Sequence, residues 1–360
     1  MNALVKQQAW AEFRHSLMLI GALGRSWLTL VRLTWRWLLW NGLTAVSLLT
    51  FLATTTAFMP VFTPTSRWLR RLNWLADLAS HFQPHYLLIF ISITTLFLLR
   101  KRYQQGALTA VFSLISLTLI APLYLPANIT AQPTSDTYRA IIFNVYTDNN
   151  DYEKTLAFLD QTKPDVIVLA DILEGWEPAL LPLLDQYPYS NHFDSHDYHG
   201  TIIYSRFPFT NEVGVEPIAD DRRSAALTTL DVNGQPLTLM AAHTRSPVRV
   251  GRMEQRNQQI RDLKAALAHQ TGPTLLLGDL NTTPWSPIFR EFLAGSRLQN
   301  GRRGFGLQAS WPAPLGAFGI PIDHVLISPE ISIHQLARGA DLGSDHYPIV
   351  VDFSFSPLED

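Results

Sequence analysis

Two hydrophobic patterns divide this chain. Up to about residue 127 the apolar residues fill whole segments; after it they come in short blocks punctuated by Gly, Pro, Asn and Asp. Leu43–Phe62 and Ala107–Ala127 carry no charge and are long enough to cross a hydrocarbon core of about 30 Å. Pro84–Leu99 is shorter and equally apolar, and it spans if residues 81–83 lie in the headgroup layer. The pattern therefore predicts three transmembrane helices over residues 43–127. Ahead of them, residues 1–42 interleave Trp27, Trp35, Trp37 and Trp40 with basic residues. Arg14, Arg25, Arg32 and Arg36 fall on one helical face, as in a helix lying in the membrane surface. Plain positive flanking of the first span explains the same residues.

The blocks after a linker at 128–137 alternate between strand and helix. Strands are expected at Tyr138–Val145, Asp165–Leu169, Thr201–Ser205, Leu227–Val232, Gln235–Ala242, Ile322–Ser328 and Ile349–Phe355. Helices are expected at Asp151–Gln161, Trp176–Leu184 and Val250–Ala268. Asn233-Gly234 between two of the strands is a strong hairpin turn. Antiparallel strands alternating with helices suggest two sheets packed face to face with helices outside, a four-layer α/β/β/α arrangement over residues 138–360.

Charge then orients the membrane segments. Arg25, Arg32 and Arg36 precede the first span, and Arg100, Lys101 and Arg102 follow the second. Arg67, Arg70 and Arg71 in the intervening loop weaken the bias, which favours a cytoplasmic N-terminus. Three crossings then place the two-sheet domain outside. Charged residues make up 16% of the chain and the net charge is −2, so nothing global argues for a nucleic-acid partner. With no cysteine, disulfides, thiolate catalysis and cysteine-bound zinc are excluded. A transporter is disfavoured, because the spans carry no charge to mark a pathway.

The chemistry centres on Thr274–Trp285, TLLLGDLNTTPW. It reads as a core strand, a polar turn, and a helix capped by Thr283 with Pro284 at its first position. Asp279 and Asn281, two apart, should face the same way. A carboxylate can orient water or hold a hard cation, and an amide can donate to a phosphoryl oxygen. Polar residues recur at the other strand ends: Asn144, Asp171, His243, Asp323 and His346. Each alone is an ordinary turn or loop residue. Together, in one order, they predict a shared pocket.

That order resembles the endonuclease/exonuclease/phosphatase superfamily, and looks like its membrane-anchored bacterial branch. The matching stretches are FNV at Asn144, PDVIVLAD at Asp171, GTIIYSRFP after Gly200, AAHT at His243, GDLNTTPWSP, IPIDHVLIS and GSDHYPIVV. The resemblance implies a Mg²⁺ (or Mn²⁺) held by Asn144 and Asp171, with Asp345 as an added contact. It implies His346 beside the scissile phosphate and paired with Asp323, and Asp279 orienting or deprotonating the attacking water. Asn281 would donate to a phosphoryl oxygen, and His243 would contact the phosphate or protonate the leaving oxygen. One departure stands out: Ala170-Asp171 replaces the family's Gln-Glu, shortening the metal-binding carboxylate by about 1.5 Å.

Other polar clusters are weaker. The loop NHFDSHDYHG reads as solvated rather than as a zinc site, with His199 the residue expected to touch substrate. Arg245 and Arg249 are candidate anion contacts. Arg222, Arg223, Arg252 and Arg256 read as a solvated face, and Arg302-Arg303 between glycines as a mobile loop. The resulting expectation is a multi-pass protein of the bacterial inner membrane with a periplasmic, metal-dependent phosphodiesterase domain. Its partners would be a phosphate ester (nucleic acid or lipid head group) and membrane lipids, with no obligate protein partner. The alternative is a degenerate domain that binds a phosphorylated ligand or partner at the membrane.

Overall fold

A computed structural model describes residues 3–62, 64–125, 136–173, 175–193, 200–211, 214–217 and 224–355. His199, Arg222, Arg223, Glu174 and most of the linker lie outside them. The chain forms two compact units, one of residues 1–52 and 88–112, the other of 53–87 and 113–360.

The first unit is helical. Helix α1 runs unbroken over Ala3–Thr55, so the surface helix and first span expected separately are one rod of about 80 Å. Nothing in the sequence breaks it: Gly21, Gly24 and Gly42 are isolated, and the first proline is Pro60. Helices α3 (Gln83–Leu99) and α4 (Tyr103–Ile120) contribute most of their length to it, whereas α2 (Arg67–Ser80) lies in the other unit. Leu28–Phe58 and Tyr103–Leu123 are long and apolar enough to cross a membrane; α2 with α3, bent by 70°, makes a third span only if counted together. Within this unit Phe51 stacks on Phe112 at 4.0 Å, and Trp40 packs 5.8 Å from Phe97 beneath the Arg102 guanidinium.

The second unit holds two six-stranded sheets. One has the order β11 (Ile331–Arg338), β12 (Ile349–Phe355), β1 (Tyr138–Asn144), β2 (Val166–Ile172), β4 (Gly200–Ser205), β3 (Tyr189–Phe193). The other has β5 (Gly214–Pro217), β6 (Ser224–Val232), β7 (Gln235–His243), β8 (Thr274–Asp279), β10 (Asp323–Ile327), β9 (Gln299–Asn300). The expected four layers are present. The central pairs, however, are parallel: β1 with β2, joined through α5 (Tyr152–Thr162), and β7 with β8, joined through α7 (Val250–Leu267). A helix between two strands provides the crossover a parallel pair needs. Strand β3 also takes up part of the loop read as solvated.

Alternation explains the layers. In β1, Ala140 and Ile142 enter the core between the sheets, while Ile141 and Phe143 face α5 and α6 (Trp176–Leu180). In β8, Leu275 and Leu277 enter the same core, and Leu276 faces α7 and α8 (Pro287–Leu293). Buried on both faces, these strands read as continuous apolar runs. The turn at Asn233-Gly234 has φ of 54° and 89°, as a tight hairpin requires. Helix α8 begins later than expected. Ser286 caps it, accepting from Phe289 N, and Pro287 takes the first position; Thr283 is engaged by His81 instead.

Residues 67–87 belong to the two-sheet unit. Arg256, fully buried, donates to Asp77 Oδ1 at 2.6 Å and to the Asn281 carbonyl at 2.7 Å. It is not the solvated residue its sequence neighbours suggest. Arg70 pairs with Glu254, and Trp74 Nε1 donates to the Pro247 carbonyl at 2.8 Å. His81 Nδ1 lies 3.0 Å from Thr283 Oγ1, and Trp285 Nε1 donates to the His81 carbonyl at 3.1 Å. Removing Asp77's charge leaves a buried guanidinium unpaired, which costs about 3–5 kcal/mol. Asp77→Asn is therefore expected to lower the unfolding midpoint markedly, and an Asp77→Asn, Arg256→Met pair to recover part of the loss; thermal melts of the three proteins test this.

Candidate active site

Register assembles the site. In the second sheet His243 on β7 and Asp323 on β10 both lie opposite Asp279 on β8. In the first sheet Asn144 ends β1 opposite Ala170, and Asp171 follows at a break in the β2–β4 register. Asp171 has φ +63°, a strained conformation for this residue, at a bulge that re-aims the side chain. Asn144 Nδ2 donates to Asp279 Oδ2 at 3.0 Å and so joins the two sheets.

Asp279 is the hub. Its Oδ2 lies 3.7 Å from His243 Nε2 and 3.8 Å from His346 Nε2. Its Oδ1 accepts from Asn281 N at 2.8 Å. Asn281 thus reaches the pocket through a turn with φ +47°, not through strand alternation, and its Nδ2 donates to the Thr244 carbonyl. His346 Nδ1 is 2.9 Å from Asp323 Oδ2, the pairing that the family resemblance implies. Ser344 fixes this loop: its hydroxyl donates to the Asn144 carbonyl and accepts from His346 N.

Burial and charge set the protonation states. Full burial, reinforced by the Asp323 charge, pushes the Asp279 carboxyl up to about 7. Burial alone would lower the His346 imidazole, but Asp323, Asp279 and Asp345 outweigh it and hold it up at about 10. For Asp323, burial opposes the charged form and His346 wins, keeping the carboxyl below its ordinary value. The geometry thus offers a buried carboxylate with a raised proton affinity beside a stabilised imidazolium.

A cavity of about 380 Å³ collects these residues. Asn144, Asp171, His243, Asp279, Asn281, Asp345 and His346 line it, whereas Asp323 lies behind His346. Arg245 lines it and Arg249 does not; Arg249 is exposed just ahead of α7. Arg252 faces the cavity in its place, since four residues separate it from buried Arg256 on the same helical face. Arg302 is no mobile-loop residue: it is fully buried and donates to the Asp323 carbonyl at 2.7 Å. His324 is structural, stacked on Phe289 with Nε2 2.8 Å from the Thr282 carbonyl. Leu78, His81 and Phe82 from the α2–α3 corner also line it, as does Trp311, which donates to Asp345 Oδ2 at 3.0 Å; none of the four stands out as a site residue in the sequence.

The donor set suits a hard cation. Asp171, Asp345 and the Asn144 amide offer oxygens to one cavity, and Asp345 Oδ1 is buried with no hydrogen-bond partner among the described residues. Asp279, Asp323 and His346 form a second group whose ligand atoms lie within 4.8 Å of one another. There Asp323 and His346 already satisfy each other, so proton chemistry suits that group better.

Residues 141–346 match the family described as Endonuclease/Exonuclease/phosphatase family. The solved endonuclease/exonuclease/phosphatase from Beutenbergia cavernae is similar at 23% identity and a TM-score of 0.50, over 61% of this chain and 72% of that one. One from Bacteroides vulgatus is 16% identical, with a TM-score of 0.52 over 62% of this chain and 100% of that one. TDP2 of D. rerio, complexed with single strand DNA product, is 16% identical, with a TM-score of 0.52 over 61% and 100%. No curated protein matches in sequence.

The placement of Asp279 depends on its neighbour. A Cβ on Gly278 would stand 2.2 Å from the Ala242 carbonyl oxygen on the adjoining strand. Gly278→Ala is expected to destabilise the fold by about 1–3 kcal/mol or more and to displace Asp279. Chemical denaturation of the variant checks the first effect.

Proposed function

We propose that this chain, which belongs to the endonuclease/exonuclease/phosphatase family, is a membrane-anchored, divalent-metal-dependent phosphoesterase that hydrolyses a phosphodiester by in-line attack of water. The observation that carries this reading is Asp279 Oδ2, shared by Asn144, His243 and His346 at the floor of one cavity. Asp279, with its raised proton affinity, takes the proton from the attacking water. His346, kept cationic and oriented by Asp323, stabilises charge developing on the phosphoryl oxygens. The second amide hydrogen of Asn281 donates to the same group. His243, between Asp171 and Asp279 at 3.5 and 3.7 Å, is placed to protonate the leaving oxygen. Asn144, Asp171 and Asp345 would hold Mg²⁺ or Mn²⁺, which supplies Lewis-acid neutralisation of the phosphate.

The apolar helices supply the anchor, and the arginine bias favours a multi-pass arrangement in a bacterial inner membrane with the two-sheet domain in the periplasm. A periplasm-selective reporter fused after Phe355 is expected to be active; activity of a cytoplasm-selective one would reverse the orientation.

A chromogenic phosphodiester tests the chemistry. Turnover is expected with Mg²⁺ or Mn²⁺, to vanish with chelator, and to fall roughly 10²–10⁴-fold in His346→Ala. Wild type no faster than His346→Ala in either metal would leave a domain that only binds phosphorylated ligands. The pH profile follows from the charges. Asp279 acts when ionised, so kcat/KM should rise through about 7; His346 acts when protonated, so it should fall through about 10. Asp323 raises both groups, and Asp323→Asn should therefore shift both limbs to lower pH. A profile that keeps its limbs in Asp323→Asn contradicts the assignment.

A further inference from the structure

We infer that the apolar wall added by the α2–α3 corner receives the hydrocarbon part of the substrate, which makes that substrate a lipid phosphate ester drawn from the bilayer. This rests on the phosphoesterase reading above and narrows it. Leu78 and Phe82 from the corner, Val248 from the loop before α7, and Ile320 and Ile322 on the approach to β10 line the same cavity as Asp279 and His346. Leu78 and Phe82 fall outside the span 141–346 that matches the family, so the corner's share of the wall lies beyond the matched domain.

The wall is fixed and open to solvent. His81 is buried and held through Thr283 and Trp285. His85 Nε2 lies 2.7 Å from the Phe318 carbonyl, and its ring is 5.7 Å from that of Phe82. Yet Phe82 is 41% exposed and Val248 61%. Apolar side chains left in water beside a polar cavity mark a site for an amphiphile. Covalent continuity names the source. Phe82 leads directly into α3, which from Tyr86 to Leu99 carries no charge and is about 25 Å long in all. The wall is therefore covalently continuous with an apolar segment suited to a hydrocarbon phase. A nucleic acid would call for a cationic track with stacking bases. Among the described residues, Arg245 and Arg252 are the arginines lining the cavity, and no lysine does.

The test is calorimetric titration of the detergent-solubilised full chain with alkyl phosphonates from methyl to octyl, in Mg²⁺. Wild type is expected to gain up to about fourfold in affinity per methylene until the wall is covered. A Phe82→Asn, Val248→Asn double variant, altered at exposed positions that the fold tolerates, should lose the chain-length slope in the same detergent. Leu181→Asn, at an exposed leucine outside the cavity, should keep it. A flat wild-type series, or a slope that survives the double variant, overturns the inference. In parallel, a phospholipid in mixed micelles should be hydrolysed faster than an oligonucleotide at equal phosphate concentration; the reverse order overturns it as well. Failure to hydrolyse any ester would instead remove the phosphoesterase reading, and the slope would still decide whether the wall binds chains.

Discussion

A single carboxylate holds the two halves of the sandwich to one purpose. Asp279 is fully buried, and Asn144 from the opposite sheet donates to it. An unpaired charge in such a place would be prohibitive, so the group either takes a proton or gathers donors. Here it does some of each. Two imidazoles approach within 4 Å, and its proton affinity is raised nonetheless. The rest of the site can be understood as the means of keeping that balance. Asp323 charges His346, Ser344 holds the loop, and buried Arg302 braces the Asp323 backbone from behind.

The same economy governs the α2–α3 corner. Arg256 satisfies the Asn281 carbonyl at the turn after β8 and Asp77 on a helix 179 residues away in sequence. One guanidinium thus joins α2 to the turn that presents Asp279 and Asn281. Planar, forked and permanently charged, arginine is suited to such a junction where lysine is not.

Much of this was legible beforehand. Asn144, Asp171, His243, Asp279, Asn281, Asp323 and His346 all come together, because each lies in or beside a strand end and the register sets those ends side by side. What could not be read depends on partners distant in the chain. Arg256 and Arg302 look like surface arginines until Asp77 and the Asp323 backbone are brought to them. Arg249 and Arg252 differ only in where α7 starts. Alternation shows which residues face a core but not whether neighbouring strands run parallel, so the central pairs were missed. Leu78, His81 and Phe82 border an apolar run, and hydropathy alone assigns them to its flank. Ser286-Pro287 carries the same cap signal as Thr283-Pro284, and only the demand of His81 on Thr283 separates them.

Asp171 pairs a short side chain with a kinked backbone. The bulge turns the residue inward, to 3.5 Å from His243 Nδ1. A glutamate on that same kink would place its carboxylate about 1.5 Å further from the backbone, beside an imidazole already 3.5 Å from the shorter acid. Side-chain reach and strand curvature are therefore a single variable at this position. Restoring the family's longer acid without straightening β2 would crowd the pocket instead of repairing it.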